Sequence, residues 1–122
     1  AVDHVSKSEA VRRMREADAL LLLAAPALER YLPGKLFDYV AARRPVLVCG
    51  WPGESSAALV DQLGMGVLCR PDQPGAMLRA LSALEARRHT ATDPRVEPWL
   101  RRHRRDVVAQ EAFDLFAQLC RR

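Results

Sequence analysis

The sequence predicts an α/β fold, a Rossmann-like parallel sheet of three to four strands with flanking helices. Three observations predict it. The runs Ala19–Ala24, Val46–Cys49 and Val67–Cys69 are short and uninterruptedly apolar, the pattern of strands covered on both faces. Their starts lie 27 and 21 positions apart, too far for hairpins. Each gap also holds a segment with helical apolar spacing, so the strands must pair in parallel through right-handed crossovers.

The elements follow in order. Ser6 with Glu9 is a capping-box pattern and opens a helix whose apolar positions are Ala10, Val11, Met14 and Ala17. The first strand is 19–24. Pro33-Gly34 turns the chain into a helix over 35–43, with Leu36, Phe37, Val40 and Ala41 inward and Arg43 and Arg44 complementing the negative end of its dipole. Pro45 stops that helix and opens the strand 45–49. Gly50-Trp51-Pro52-Gly53 is a turn cluster, and Gly53-Glu54 is read as plain turn. Ala58, Leu59 and Leu63 mark a short helix closed by Gly64, and the third strand is 66–69. Asp72 as N-cap, with Pro74 in the first turn, starts a helix that buries Met77, Leu78, Leu81 and Leu84. The polar, Pro-bearing stretch 89–98 reads as a linker. A single last helix then carries Trp99, Leu100, His103, Val107, Val108, Ala112, Leu115 and Leu119 at helical spacing. The organisation expected is a partial Rossmann-like domain over 1–88, with a linker and a basic C-terminal helix over 89–122 packing on it.

Composition narrows the function classes. A chain of 122 residues with 49% hydrophobic residues supports one domain with a core, but is short for an enzyme that handles two substrates. The longest apolar run, Ala19–Leu28, contains Pro26 and falls far short of a membrane span. The opening Ala1-Val2-Asp3-His4 has no signal-peptide pattern, and a cytoplasmic location is expected, with the inner face of the membrane as a contact surface. Cys49, Cys69 and Cys120 lack CxxC spacing and read as reduced thiols. His4, His89 and His103 do not cluster, so no metal site is expected. The net charge of +4 is uneven: residues 1–86 carry ten basic and ten acidic side chains, whereas 87–122 carry nine arginines against five acids. The run Arg101-Arg102-His103-Arg104-Arg105 is either a solvated helix face with i,i+4 partners or a surface for a polyanion.

The most informative stretch is Pro33-Gly34-Lys35-Leu36-Phe37-Asp38-Tyr39-Val40-Ala41-Ala42-Arg43-Arg44-Pro45-Val46-Leu47-Val48. Pro33 and Gly34 leave backbone N–H groups exposed at a helix start, an arrangement that receives anions. Lys35 adds a mobile positive charge where the helix dipole disfavours one, and Asp38 stands one turn later. A phosphate joined to a hydroxyl-rich group, such as the ribose of a nucleotide, suits that pair.

This run resembles the donor-binding motif of retaining GT-B glycosyltransferases, the large group 1 (family 4-like) set that uses nucleotide-sugars. Upstream, Ser6-Lys7-Ser8-Glu9-Ala10 and Met14–Leu23 are similar to that family's helix and donor-adjacent strand. Downstream, Gly64-Met65-Gly66-Val67-Leu68 and Pro71-Asp72 are similar to its late Gly-x-Gly strand and last Rossmann helix. The resemblance implies a donor-binding C-terminal domain that takes a nucleotide-diphosphate sugar, with no cofactor besides that donor. It implies Lys35, next to Gly34, on the diphosphate and Asp38 on the ribose hydroxyls. Val5 and Ser6 align with the stretch that in the family holds the nucleobase through backbone atoms. The family's first acid falls on Arg30, with Glu29 one position out of register, so these two are weaker candidates for holding the sugar. Any catalytic base and the acceptor site are expected outside this chain, in an N-terminal acceptor domain. The sequence is therefore read as a fragment, nearly inactive alone, with a homodimer through the exposed sheet edge as a further expectation.

One alternative is a standalone α/β module that docks on nucleic acid or anionic membrane through its basic C-terminal helix. On the leading reading nucleic acid is not an expected partner. A receiver-like domain is disfavoured, because the strand ends Ala24-Ala25-Pro26 and Cys49-Gly50-Trp51 lack the acidic cluster it needs.

Overall fold

The computed structural model describes residues 4–24, 31–87 and 93–121. Its elements are α1 (Lys7–Glu16), β1 (Leu20–Leu23), α2 (Gly34–Ala42), β2 (Val46–Cys49), α3 (Ser55–Gln62), β3 (Gly66–Cys69), α4 (Ala76–Arg87), α5 (Val96–Arg102) and α6 (Arg105–Cys120). The three strands form a parallel sheet in the order β1-β2-β3, with Leu20, Val46 and Gly66 in one row and Leu23, Cys49 and Cys69 in another. The class is α/β and Rossmann-like, as the apolar runs and their spacing predict.

Alternation along each strand sorts the core into two layers. Leu22, Val46 and Val48 point to one face and pack with Leu36 and Val40 of α2, Leu59 and Val60 of α3, and Val96 of α5. Leu47 and Cys69 point to the other face, where Ala76, Ala80 and Leu84 of α4 cover them. Both faces of β2 are closed in this way. At β1 the second face is open: Leu21 and Leu23 are exposed, Leu23 at 73%. The β1 edge is partly guarded, because the Tyr39 hydroxyl donates to the Leu21 carbonyl oxygen at 3.1 Å.

Two glycines are required by geometry. A Cβ on Gly66 would stand 1.8 Å from the Val46 carbonyl oxygen, so β2 and β3 approach only because that side chain is absent. Gly64 turns the chain from α3 into β3 at φ +60, a left-handed conformation that side chains resist. The spacing Gly64-Met65-Gly66 thus combines a turn with a close backbone approach.

Several helices differ from expectation in their buried faces. The α4 helix starts at Ala76, after Gly75 at φ +71, and turns Ala76, Ala80 and Leu84 inward. Met77, Leu78 and Leu81, expected in the core, are exposed, because small alanines let the helix lie close to the sheet and the stripe i, i+4, i+8 leaves the leucines on its flank. Asp72 caps nothing: its carboxylate takes the Arg70 guanidinium at 2.6 Å. In α2 only Leu36 and Val40 are buried, and Ala41 faces solvent. That helix ends at Ala42, with Arg43 left-handed at φ 56 and ion-paired to Glu97. In α3 the inward residues are Ser56, Ala57, Leu59 and Val60, while Ala58 is exposed.

The C-terminal segment differs most. The expected linker 89–98 already contains the first turn of α5, and Val96 in it is completely buried. The expected single last helix is two, broken at His103-Arg104, where Arg104 is extended (φ −64, ψ 140). The break lets α5 lay Val96, Trp99 and Leu100 on the core while α6 leaves in another direction. None of α6 is buried, and Phe113, Leu115, Phe116 and Leu119 are all exposed. No helix among the described residues is long and apolar enough to cross a membrane.

At the start of α1 the Ser6 hydroxyl accepts from the Glu9 N–H at 3.2 Å. The other half of the capping box is not made. The Glu9 carboxylate turns to Arg12 and Arg13 instead, at 2.8 and 2.7 Å, and these guanidiniums hold its pKa at about 2 against an ordinary 4.5.

Two measurements check this description. Gly66→Ala forces β2 and β3 apart, and a chemical denaturation curve should show a loss of about 3 kcal/mol, at the upper end of overpacking costs. A lowered carboxylate pKa stabilises above the unfolded value and ceases to do so as pH falls through the folded one. The helical circular dichroism of the wild type should therefore fall between pH 4.5 and about 2, and the fall should be smaller in Glu9→Gln.

Candidate functional site

The path of the chain fixes where the helix starts lie. Each crossover helix of a parallel unit begins at the carboxyl edge of the sheet and returns to the amino edge, and ligands of open α/β sheets bind at the carboxyl edge. The α2 helix, which links β1 to β2, therefore starts at that edge. Pro33 is its N-cap, extended at ψ 140, and no side chain caps it, so its first amides have no side-chain acceptor.

A groove of about 870 Å³ opens at this point, within the usual range for small-molecule sites. Lys7, Gly34 and Arg105 all line it, and these are the first residues of α1, α2 and α6. Asp38 and Phe37 line it from one turn further along α2, and His103 from the junction between α5 and α6. The remaining wall is Val108, Ala109 and Ala112 of α6. The groove thus joins a charged end, made by three helix starts, to an apolar wall.

His103 is fixed by its neighbours. Its ring stacks on Trp99 with centroids 4.1 Å apart, and Phe37 closes the cluster 5.4 Å from Trp99. The His103 Nδ1 lies 2.8 Å from the Trp99 carbonyl oxygen. A carbonyl only accepts, so Nδ1 carries the proton and Nε2 is left for another partner. Apart from Asp38, the acids nearby are engaged elsewhere. Asp106 binds Arg104 at 2.7 Å, which pulls its carboxyl below the ordinary range, and Glu97 binds Arg43 and Arg101. Lys7, Lys35 and Arg105 make no ion pair among the described residues.

Of the residues singled out from sequence, Gly34 and Asp38 line the groove together. Lys35 is exposed at the start of α2, on the face next to Asp38, and does not line it. Val5 is half-buried in the segment before α1 and is also outside the lining. Glu29 and Arg30 lie outside the described residues. Glu54, read as plain turn, is 3% exposed, and its Oε1 accepts the Trp51 N–H at 3.1 Å, which pins the turn after β2. Lys7, Phe37, His103 and Arg105 were not singled out as site residues. In the sequence Lys7 stands at the start of the first helix, Phe37 is an inward position of the stretch 33–48, and His103 and Arg105 belong to the basic run 101–105, and none of these says what it faces.

Among the described residues no group of three or more His, Cys, Asp or Glu side chains is placed to hold a metal ion. Cys49, Cys69 and Cys120 are free thiols, and burial pushes the Cys49 thiol above its ordinary value. No protein-family model, no curated protein and no solved structure matches this chain.

The groove depends on α5. Val96→Ala removes two methyl groups from a fully buried position and should cost about 2 kcal/mol. A lowered melting temperature, with the Phe37–Trp99–His103 ring-current shifts lost in NMR spectra at lower denaturant than the β2 amide signals, would show that α5 holds this wall of the groove.

Proposed function

We propose that this chain is the donor-binding part of a glycosyltransferase that moves a sugar from a nucleotide-diphosphate sugar to an acceptor. The observation that carries the reading is the placement of Gly34 and Asp38 in one groove at the helix starts, among cations without acidic partners. The chemistry of such a transfer asks for this combination. As the glycosidic bond to the donor breaks, the leaving nucleoside diphosphate gains negative charge, and groups already aimed at it lower the barrier. The uncapped amides at Gly34 meet the diphosphate, and Lys35, exposed on the adjoining turn outside the groove lining, is its proposed mobile contact. Asp38, a carboxylate that only accepts hydrogen bonds, takes the ribose hydroxyls.

The base or nucleophile, the acceptor and the other wall of the cleft belong to an acceptor domain outside this chain. The reading carries with it a cytoplasmic setting and little or no transferase activity for the chain alone. In the basic segment Arg101 and Arg104 are bound to Glu97 and Asp106, which leaves Arg102 and Arg105 as its unpaired cations among the described residues.

The test is a titration of the ¹⁵N-labelled chain with UDP, GDP and the matching nucleosides. Affinity in the micromolar-to-millimolar range is expected for half a cleft. Lys35→Ala should weaken the diphosphates about tenfold and the nucleosides little, whereas Asp38→Asn should weaken both alike. If neither UDP nor GDP shifts any amide between Leu32 and Asp38, the donor-site reading fails.

A further inference from the structure

The C-terminal helix lies outside the motif over 33–48, yet it forms one side of the groove. We propose that α6 is a working wall of the binding site, and that Arg105 on α6 and Lys7 on α1 clamp the diphosphate of the ligand between them. This rests on the donor-binding reading and adds to it a pair of phosphate contacts and a role for the segment after residue 93.

Charge sorting is the first argument. The C-terminal segment is rich in arginine, but its arginines are not equivalent. Arg101 and Arg104 hold acids of the same segment at 3.3 and 2.7 Å, which neutralises Glu97 and Asp106. Arg102 and Arg105 hold none among the described residues, and of these two it is Arg105 that lines the groove. Lys7 is likewise free of an ion pair and faces the same space from a separate helix. Two cations across a gap suit a ligand with two adjacent anionic groups, and guanidinium gives phosphate a forked set of donors.

The carboxylate in the groove is the second argument. Asp38 repels a bare polyanion, so the ligand must also offer hydroxyls within reach of the anionic end. The third is the direction of α6. Val108, Ala109 and Ala112 continue from Arg105 along the lined face, and Ala112 stands about 10 Å further down the helix axis. A ligand anchored by its phosphates at Arg105 therefore extends along an apolar wall built of small side chains. A nucleoside joined to a diphosphate has these three parts in this order.

The probes are inorganic pyrophosphate, UDP, GDP and the free nucleosides, each titrated into the full chain. The variants are Arg105→Gln and Lys7→Gln. Both side chains are exposed and unpaired among the described residues, so melting temperatures should match the wild type. Arg105→Gln should weaken pyrophosphate, UDP and GDP about tenfold, Lys7→Gln severalfold, and neither should change nucleoside binding. Wild-type affinity for the diphosphates should fall as salt is raised. If UDP or GDP shifts the amides of Leu32–Asp38 while both variants bind them within twofold of wild type, the clamp is overturned and the donor-site reading stands. If pyrophosphate binding depends on Arg105 and Lys7 but no nucleoside diphosphate shifts Leu32–Asp38, the clamp stands and the donor reading falls. If no probe shifts Lys7, Arg105 or Leu32–Asp38, both fall.

Discussion

The rest of the structure depends on the burial of one strand, β2, between two helical layers. Val46 and Val48 on one face and Leu47 on the other leave none of its side chains for water until Cys49. A strand closed on both faces must find its backbone partners in parallel neighbours, since the connecting helices occupy the faces. β1 and β3 supply those partners, and Gly66 allows β3 to come close enough by leaving the space over the Val46 carbonyl empty. Once β2 is fixed, the helix that feeds it must begin at the far edge of the sheet. That requirement brings Gly34 and Asp38 to the groove.

The two faces are not closed to the same extent. Among the described elements α2, α3 and α5 share one of them, whereas α4 alone covers the other, with Leu21 and Leu23 of β1 exposed. The buried set of α4 explains its reach. A contact made through Ala76 and Ala80 brings the helix axis near β2 and β3, and a helix held there does not extend over β1. The exposed leucines on the flank of α4 follow from the same contact.

The groove is assembled by long-range packing more than by the motif over 33–48. Val96 seats α5 against α2, and the Arg43–Glu97 pair ties the end of α2 to the same helix. With α5 fixed, the break at His103-Arg104 sends the start of α6 to the starts of α1 and α2. The stack of His103 on Trp99, with Phe37 beside it, is the joint between these parts. The residues lining the groove thus come from three stretches far apart in the chain, at Lys7, at 34–38 and at 103–112.

Three apolar runs at βαβ spacing, the Pro33-Gly34 and Pro45 boundaries, and the Gly64-Met65-Gly66 turn were enough to determine the class of fold and the parallel sheet. These are local signals: strand burial, proline stops and the absence of a Cβ act over a few residues and can be read there. The buried faces of the helices were less legible. Leu78 and Ala80 both fit a helical stripe, and only the distance from α4 to the sheet decides that the alanine goes inward. The division of the last helix was invisible for a similar reason, because Trp99, Val107 and Leu115 keep a helical period that the turn at His103-Arg104 interrupts without altering the spacing. Gly34 and Asp38 were found because they share one short motif. Lys7, His103 and Arg105 join them only in three dimensions, since a charge on a helix carries no local mark of which surface will stand opposite it.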